Sequence, residues 1–362
     1  MKNLTWQNPE QLFVAQELIN KVKSKCCGIK DNKKCLGNYA IKLIFIRYNK
    51  KRLFMKTDIA TIITCFNRKN KTIACLKNLY KACALYNVNH QTSTIELTVF
   101  LTDDGCTDGT ADAIKAEFCD KNIHIIKGNG HCYWAGGMRL AWKEALKAST
   151  PWEYYLLIND DTIVLSNVFE ELIRTHNYVL ETTGNVGIYS GITCDINDET
   201  KITYGGEIFK SNNKGDSLAV KPSDTPKKVD LTNANILLIP KRVIEKIGIF
   251  HKGYIHGCAD YDYSLTAQRE NIPTFTTAHI CGKCEFDHMD GKSEIDRLIS
   301  MSFNERKKYI LHPTHSDKDY LLFIKRNLPK RYIFCWILRK IRLYLPYLYK
   351  QICIMRKLEN YK

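Results

Sequence analysis

The stretch Tyr154-Tyr155-Leu156-Leu157-Ile158-Asn159-Asp160-Asp161-Thr162 decides the fold. Large apolar residues without alternation mark a strand buried on both faces. The run stops abruptly at an amide and two adjacent carboxylates. In an open α/β sheet, ligands bind in the crevice at the carboxyl ends of the strands. Two carboxylates placed there repel each other and lose hydration, a cost that an external cation offsets. Hard oxygen ligands at a strand end suit Mg²⁺ or Mn²⁺ when the ion also holds substrate phosphates. A solvated turn is the plainer alternative for this stretch taken alone.

Working outward, the same pattern recurs. Ile59–Thr64 is a buried strand followed by Cys65-Phe66-Asn67-Arg68, and a helical stretch covers Lys71–Tyr86. A second strand, Ile95–Leu101, runs into Asp103-Asp104-Gly105-Cys106-Thr107-Asp108-Gly109-Thr110 and a short helix to Cys119. A third, Ile123–Ile126, leads through Gly128-Asn129-Gly130 to a helix over Met138–Lys147. Strands alternating with helices imply a parallel sheet with right-handed crossovers. Three polar motifs at strand ends then share one rim, which favours a common site over three separate solvated turns.

The whole chain has 362 residues, 44% hydrophobic and 25% charged, enough for one large globular domain with appendages. Lys and Arg total 54 against 38 Asp and Glu, and the excess of +16 suggests anionic partners. The 15 cysteines are scattered. With no secretory signal pattern at the N-terminus, they read as reduced thiols in a cytosolic compartment. No apolar run reaches the roughly 18 residues of a membrane span. Residues 1–56 read as an N-terminal extension that carries charge but no recognisable chemistry.

The motif series Thr64–Arg68, Asp103–Thr110 and Asn159-Asp160-Asp161 resembles the signatures of family 2 glycosyltransferases with the GT-A fold. Tyr133-Trp134-Ala135-Gly136-Gly137-Met138, Tyr204-Gly205-Gly206 and Ala259-Asp260-Tyr261-Asp262-Tyr263-Ser264-Leu265 resemble its rhamnosyltransferase-like branch. The likeness covers roughly Asp58 to His288. It implies that Thr64, Phe66 and Arg68 line the base and ribose of a nucleotide, with Asp104 accepting a hydrogen bond from the base. It implies Asp161 as metal ligand, with Asn159 and Asp160 near the ribose or behind the ion. The catalytic base falls on Asp260, and Asp262 matches a second acidic, supporting or acceptor-binding position. Two departures stand out: Ala259 replaces the usual Glu of the Glu-Asp pair, and Arg139 stands where the branch often has Asn.

Several residues keep a plainer reading beside the functional one. Gly136 and Gly137 before a helix allow close packing, or free backbone N–H groups for phosphate or sugar hydroxyls, with Tyr133 and Trp134 offering flat faces to a sugar ring. Asp260 and Asp262 at a helix start are electrostatically welcome there without any further role. His279 or His288 is a further metal-ligand candidate by resemblance, while Cys281-x-x-Cys284 lacks the second ligand pair that zinc needs. From Asp319 onward, Lys and Arg alternate with aromatic and aliphatic residues, including Trp336, in basic amphipathic helices that fit an anionic membrane surface.

The expectation is an α/β chain of GT-A fold, divided into the extension 1–56, a glycosyltransferase domain 57–300 and a basic helical tail 301–362. By resemblance it is an inverting, metal-dependent enzyme moving a sugar from a nucleotide-diphosphate donor to a glycan or lipid-linked acceptor in cell-surface polysaccharide synthesis. It would use Mg²⁺ or Mn²⁺, bind no nucleic acid, and sit at the cytoplasmic face of the membrane as a peripheral protein. Two rivals are a catalytically silent sugar-binding or scaffold protein, motivated by Ala259 and Arg139, and a sugar nucleotidyltransferase. The latter needs a Gly-rich phosphate loop after the first strand, and Cys65-Phe66-Asn67-Arg68 lacks it.

Overall fold

The computed structural model of the protein describes residues 55–210, 216–286, 291–315 and 317–355, with 55 and 291–293 as backbone only. The expected extension 1–56 lies outside the described residues apart from Met55 and Lys56, and so does His288.

Strands β1 (Met55–Cys65), β2 (Ser93–Asp103), β3 (Ile123–Lys127) and β4 (Tyr154–Ile158) run parallel, in the spatial order β4-β1-β2-β3. Helices α1 (Lys69–Asn89), α2 (Thr110–Glu117) and α3 (Tyr133–Lys147) make the crossovers. After the two-residue β5 (Ile163–Val164), which pairs antiparallel with residues 282–283, come α4 (Val168–Thr183) and β6 (Ile188–Cys194). The short strands β7 (Ile202–Tyr204), β8 (Gly206–Phe209), β9 (Ser217–Ala219), β10 (Lys227–Lys228) and β11 (Leu231–Thr232) then lead to β12 (Ile236–Pro240). Strand β12 enters antiparallel between β4 and β6, and β13 (Thr274–Lys283) lies parallel to β6 beyond it. Helices α5 (Lys241–Ile247) and α6 (Ala259–Arg269) connect the two.

The lack of alternation in the central strands has a structural cause. In β1, Ala60 and Ile62 face one core while Ile59 and Ile63 face another, so both pleat faces are dry. The first core lies under α3, α5 and α6, around Met138, Trp142, Val243 and Tyr263. The second lies under α1, α2 and α4, around Leu76, Ile114 and Leu172. A helix layer on each face of a mostly parallel sheet is the arrangement expected of the strand–helix alternation.

The expected single strand over Ile202–Phe209 is broken at Gly205, whose φ of +146° is open to glycine and little else. The break sends β7 to the main sheet beside β6, and β8 to a separate three-stranded sheet in the order β11-β8-β9. Part of the expected loop 210–228 is therefore strand. Helix α3 begins at Tyr133 rather than Met138, which puts Gly136 and Gly137 inside it.

Beyond residue 300 the chain returns to the main body. Helix α7 (Gly291–Ser300) and α8 (Phe303–Leu311) lead to α9 (Asp317–Asn327), whose Phe323 and Ile324 are part of the first core. Polar contacts lock the same helix. Asp319 accepts backbone N–H groups of Ile255 (3.1 Å), His256 (2.7 Å) and Gly257 (2.9 Å). Helices α7 and α8 pack with α10 (Tyr332–Tyr344) and α11 (Pro346–Met355) around two small clusters, Leu298, Ile310 and Leu343 in one and Ile295, Tyr349 and Cys353 in the other, while Cys335 of α10 joins the first core. Among the described residues no helix is long and apolar enough to cross a membrane.

Truncating Phe323 to Ala should therefore cost about 3 kcal/mol, the usual penalty for an aromatic removed from a core. A chain ended at Leu311 should lose its cooperative thermal transition in circular dichroism. A shortened chain that melts at the full-length temperature would show that α9 is an independent appendage.

Candidate functional site

The parallel register brings the strand ends together: Cys65 lies opposite Asp103, and Ile62 opposite Leu157. Past these pairs the chain leaves the sheet, and Phe66, Asp103 and Asn159 to Asp161 come to one rim. The loops are knitted by side chains. Asn67, at φ +50°, accepts the Thr107 N–H at 2.7 Å, and Asp108 accepts the first N–H of α1, from Lys69, at 2.9 Å. Phe66 projects from this knot with 53% of its surface exposed, a cost in water that an overlying flat ligand would relieve.

Asp160 and Asp161 are both nearly buried, and Arg68 reaches across from the end of β1. Its Nη1 stands 2.5 Å from Asp161 Oδ2 and 3.5 Å from Asp160 Oδ1. The Thr72 hydroxyl donates to Asp160 Oδ2 at 3.1 Å. Burial raises the Asp160 carboxyl to about 7; Arg68 and Thr72 act against the shift, while Asp161 adds to it. Asp161 Oδ1 also lies 3.8 Å from the thiol of Cys284. Asn159 Oδ1 accepts the indole N–H of Trp134 at 2.7 Å, so this amide orients an aromatic ring from α3 over the rim.

Among the described residues no three His, Cys, Asp or Glu side chains stand together as a ready metal cage. The donor set nevertheless fits an ion that completes its shell elsewhere. Asp161, with Asp160 behind it, supplies hard oxygen ligands, the mode in which Mg²⁺ or Mn²⁺ takes one or two carboxylates plus phosphate oxygens. Burial is the main reason the Asp160 carboxyl is raised, and Arg68 offsets it in part.

Across the crevice, the segment 233–235 connects this strand end to α6. Asn159 N–H donates to the Asn235 carbonyl at 3.3 Å, and Ala234 N–H donates to Asp260 Oδ2 at 3.1 Å. Asp260 Oδ1 accepts the Tyr261 N–H at 3.0 Å. Burial lifts the Asp260 carboxyl to about 6 against the pull of these two N–H donors. The preceding Cys258 sits at φ +62°, a left-handed residue that turns the chain sharply into the helix.

Other expected residues are placed differently. Asp104 is 4% exposed, and its carboxylate accepts N–H groups from Gly130 (2.9 Å), Cys132 (3.1 Å) and Tyr133 (2.9 Å), so it braces the loop before α3. The half-buried Asp103 is the carboxylate nearer the rim, and it accepts the Cys106 N–H at 2.7 Å. Gly137 packs on Thr64 so closely that a Cβ would fall 2.1 Å from its hydroxyl, which buries both. The Gly136 N–H already donates to the Ile255 carbonyl at 3.3 Å. The docking role expected of this glycine pair is thus corrected to close packing.

Asp262, expected as a supporting or acceptor-binding residue, is buried and has partners of its own. It is 2% exposed and accepts Arg326 Nε at 2.9 Å and Asn327 Nδ2 at 2.7 Å, which makes it the seat of α9 rather than an acceptor contact. His279 is not brought to Asp161; it pairs with Glu171 at 2.9 Å and meets Arg174 at 3.1 Å on α4. Arg139 bonds the His251 carbonyl at 3.3 Å. Two residues with no role assigned from the sequence also bear on the site, Asp319 under the loop before Asp260 and Glu207, while Cys284, weighed only as half of a zinc pair, lies beside Asp161. Glu207 directly follows Tyr204-Gly205-Gly206, so its place in a motif was the available signal.

Residues 60–218 match the family model described as Glycosyl transferase family 2. No curated protein matches the sequence. Among solved structures, TarS 1-349 of S. aureus is similar at 11% identity and TM-score 0.46, covering 77% of this chain and 72% of that one. The chain spans 43% of the longer TarS chain. A mannosyltransferase of Pyrobaculum calidifontis, PcManGT, solved with GDP-Man and Mn2+, gives 14% identity and TM-score 0.45 over 86% of this chain and 89% of that one. GalNAc-T7, solved with UDP, GalNAc and Mn2+, gives 12% identity and TM-score 0.48 over 81% and 54%. At these scores the three say nothing about this chain's own donor, acceptor or metal.

The raised Asp160 carboxyl has a measurable consequence. Between its ordinary range near 4 and about 7 the folded chain holds a proton that the unfolded chain has released, so stability falls as pH rises through that window. Added Mn²⁺ should raise the thermal midpoint, and by more at pH 8 than at pH 6, because the proton must leave before the ion binds. Asp161→Ala should abolish the increment. An equal Mn²⁺ effect in that variant would remove the ion from this strand end.

Proposed function

From residues 60–218, which match the family 2 glycosyltransferase model, we propose that the protein is a GT-A enzyme that transfers a sugar with inversion from a nucleotide-diphosphate donor to a glycan or lipid-linked acceptor. The observation that carries this reading is the single short segment Ala234–Asn235, which holds Asp260 on one side and Asn159 on the other. A proton acceptor and an acidic strand end share one crevice. A nucleotide would lie along the rim, its base against Phe66 and its ribose toward Asn159 and Asp160. The loop that Asp104 braces would close its far side. The catalytic unit extends in this proposal from 57 to about 327, because α9 seats the loop that leads to Asp260.

Asp161, backed by Asp160, would hold Mg²⁺ or Mn²⁺, which when bound supplies positive charge to the departing diphosphate. Arg68, already on these carboxylates, adds charge at the same place. Asp260 takes the proton of the acceptor hydroxyl while that oxygen bonds to the anomeric carbon and the bond from that carbon to the phosphate oxygen breaks. A base works best with a proton affinity near the operating pH, and burial has moved Asp260 toward it. Trp134, fixed by Asn159, offers its ring to the sugar being moved.

The cell-surface glycan role and the membrane location belong to the same proposal. Ile333, Trp336, Ile337 and Tyr344 on α10, with Leu345 and Tyr347 just beyond it, are exposed aromatic and aliphatic side chains. Part of the basic charge expected to meet a membrane is paired with carboxylates: Arg326 with Asp262, Arg339 and Arg342 with Asp317, and Lys350 with Asp296. Insertion of apolar and aromatic side chains at the interface would then dominate over charge.

Release of nucleoside diphosphate from a panel of UDP-, GDP- and dTDP-sugars tests the reaction. Asp260→Asn should lower turnover by about 10²–10⁴-fold with donor binding intact, the usual cost of a lost positioned base. Wild-type turnover in that variant would reject the base assignment, and release by no sugar in the panel would favour a silent sugar-binding protein. Full-length protein should sediment with phosphatidylglycerol vesicles and lose that affinity when Trp336 and Tyr347 become Ser. Indifference to vesicles at low salt would remove the membrane from the account.

A further inference from the structure

The pair that normally precedes the base is incomplete here, since Ala259 stands where the family resemblance expects Glu, and the structure brings a carboxylate to this end of α6 from another element. Glu207 lies on β8, the central strand of the three-stranded sheet, pinned by β11 on one side and β9 on the other. One of its oxygens accepts the Tyr261 hydroxyl, and the other accepts the Ser217 hydroxyl from β9. The Tyr261 oxygen in turn accepts Asn233 Nδ2 at 3.3 Å. Asn233 is locked to the break in the sheet: its N–H donates to the Gly205 carbonyl at 2.8 Å, and its side-chain oxygen accepts the Gly205 N–H at 3.2 Å.

Two peptide N–H groups hold Asp260, and this circuit supplies both. One comes from Tyr261 itself, the other from Ala234, the residue after Asn233. We propose that Glu207 is a positioning residue for Asp260, acting through Tyr261 and Asn233 to fix the carboxylate against the crevice. The inference rests on Asp260 being the base. Through Glu207 the small sheet carries a negative charge to the base from outside α6.

Charge enters as well as geometry. Among the described residues, Glu207 is the charged group that faces Asp260 from β8, and it favours the protonated carboxyl. Cys258, Tyr261 and Asp262 belong to the start of α6 itself. The charges of α9 nearest this end are engaged elsewhere, Asp319 by the loop 255–257 and Arg326 by Asp262. Removing the Glu207 charge lowers the proton affinity of Asp260, so the active base persists to lower pH.

The test is the pH profile of kcat/KM between about pH 5 and 9 for nucleoside diphosphate release from the nucleotide sugar that the panel selects. Glu207→Gln keeps the shape and removes the charge; its acid limb should move down by roughly half a unit to one unit, with donor KM unchanged. Glu207→Asp keeps the charge at shorter reach; its limb should stay near wild type while kcat falls roughly tenfold. A limb that does not move in Glu207→Gln, whether rates fall uniformly or not at all, overturns the inference and leaves Glu207 a purely structural link. Asp260→Asn run in parallel separates the two failures: full activity there sinks the base assignment itself, whereas an inactive Asp260→Asn with an unmoved Glu207→Gln limb sinks only the role of Glu207.

Discussion

Two carboxylates on consecutive residues, buried at the end of a central strand, are the constraint around which the rest of the molecule is arranged. Like charges in a place poor in water are tolerated only if something positive reaches them. Arg68 does so from β1, which requires β1 and β4 to be parallel neighbours ending on one rim. Thr72 on α1 adds a hydrogen bond, so the first crossover helix is tied to the same point. Sheet order, strand direction and the start of α1 therefore converge on the need to neutralise Asp160 and Asp161.

Aspartates saturated by backbone N–H groups do the remaining positioning. Asp104 gathers the loop before α3, Asp319 gathers the loop before α6, and Asp260 is itself held by Ala234 and Tyr261. An ionised carboxylate accepting several N–H donors makes hydrogen bonds roughly twice as strong as neutral ones, which suits loops that must keep one shape. The C-terminal helix α9 takes part in this scheme twice, through Asp319 and through the Arg326 and Asn327 contacts to Asp262. The region expected to be a basic helical tail thus contributes α9 to the structure around the candidate catalytic crevice.

How much of this was legible follows from what a linear sequence encodes. The central strands were legible because burial on both faces leaves an unbroken apolar run, as in Leu156–Ile158 and Ile62–Ile63. The rim was legible because polar motifs followed each strand directly. Long-range partners were not. Nothing local in Asp262 separates a buried seat for Arg326, 64 residues away, from a ligand contact at a helix start. The same holds for Asp319 and Glu207, whose partners arrive from other elements. Gly137 misled for a related reason: a glycine signals close approach, and only the fold reveals that the approaching group is Thr64 rather than a substrate. The basic residues of the tail are plain in the sequence, but their pairing with Asp317 and Asp296 is a tertiary fact.

The central claim, that the acidic strand end and Asp260 divide donor binding from proton transfer, is tested most directly by calorimetric titration of the selected nucleotide sugar into wild type, Asp161→Ala and Asp260→Asn, with Mn²⁺ and with EDTA. The account predicts tight binding to wild type and Asp260→Asn only when Mn²⁺ is present, and loss of that cation dependence together with most of the affinity in Asp161→Ala. Equal donor affinity in all three proteins, unchanged by EDTA, would contradict it.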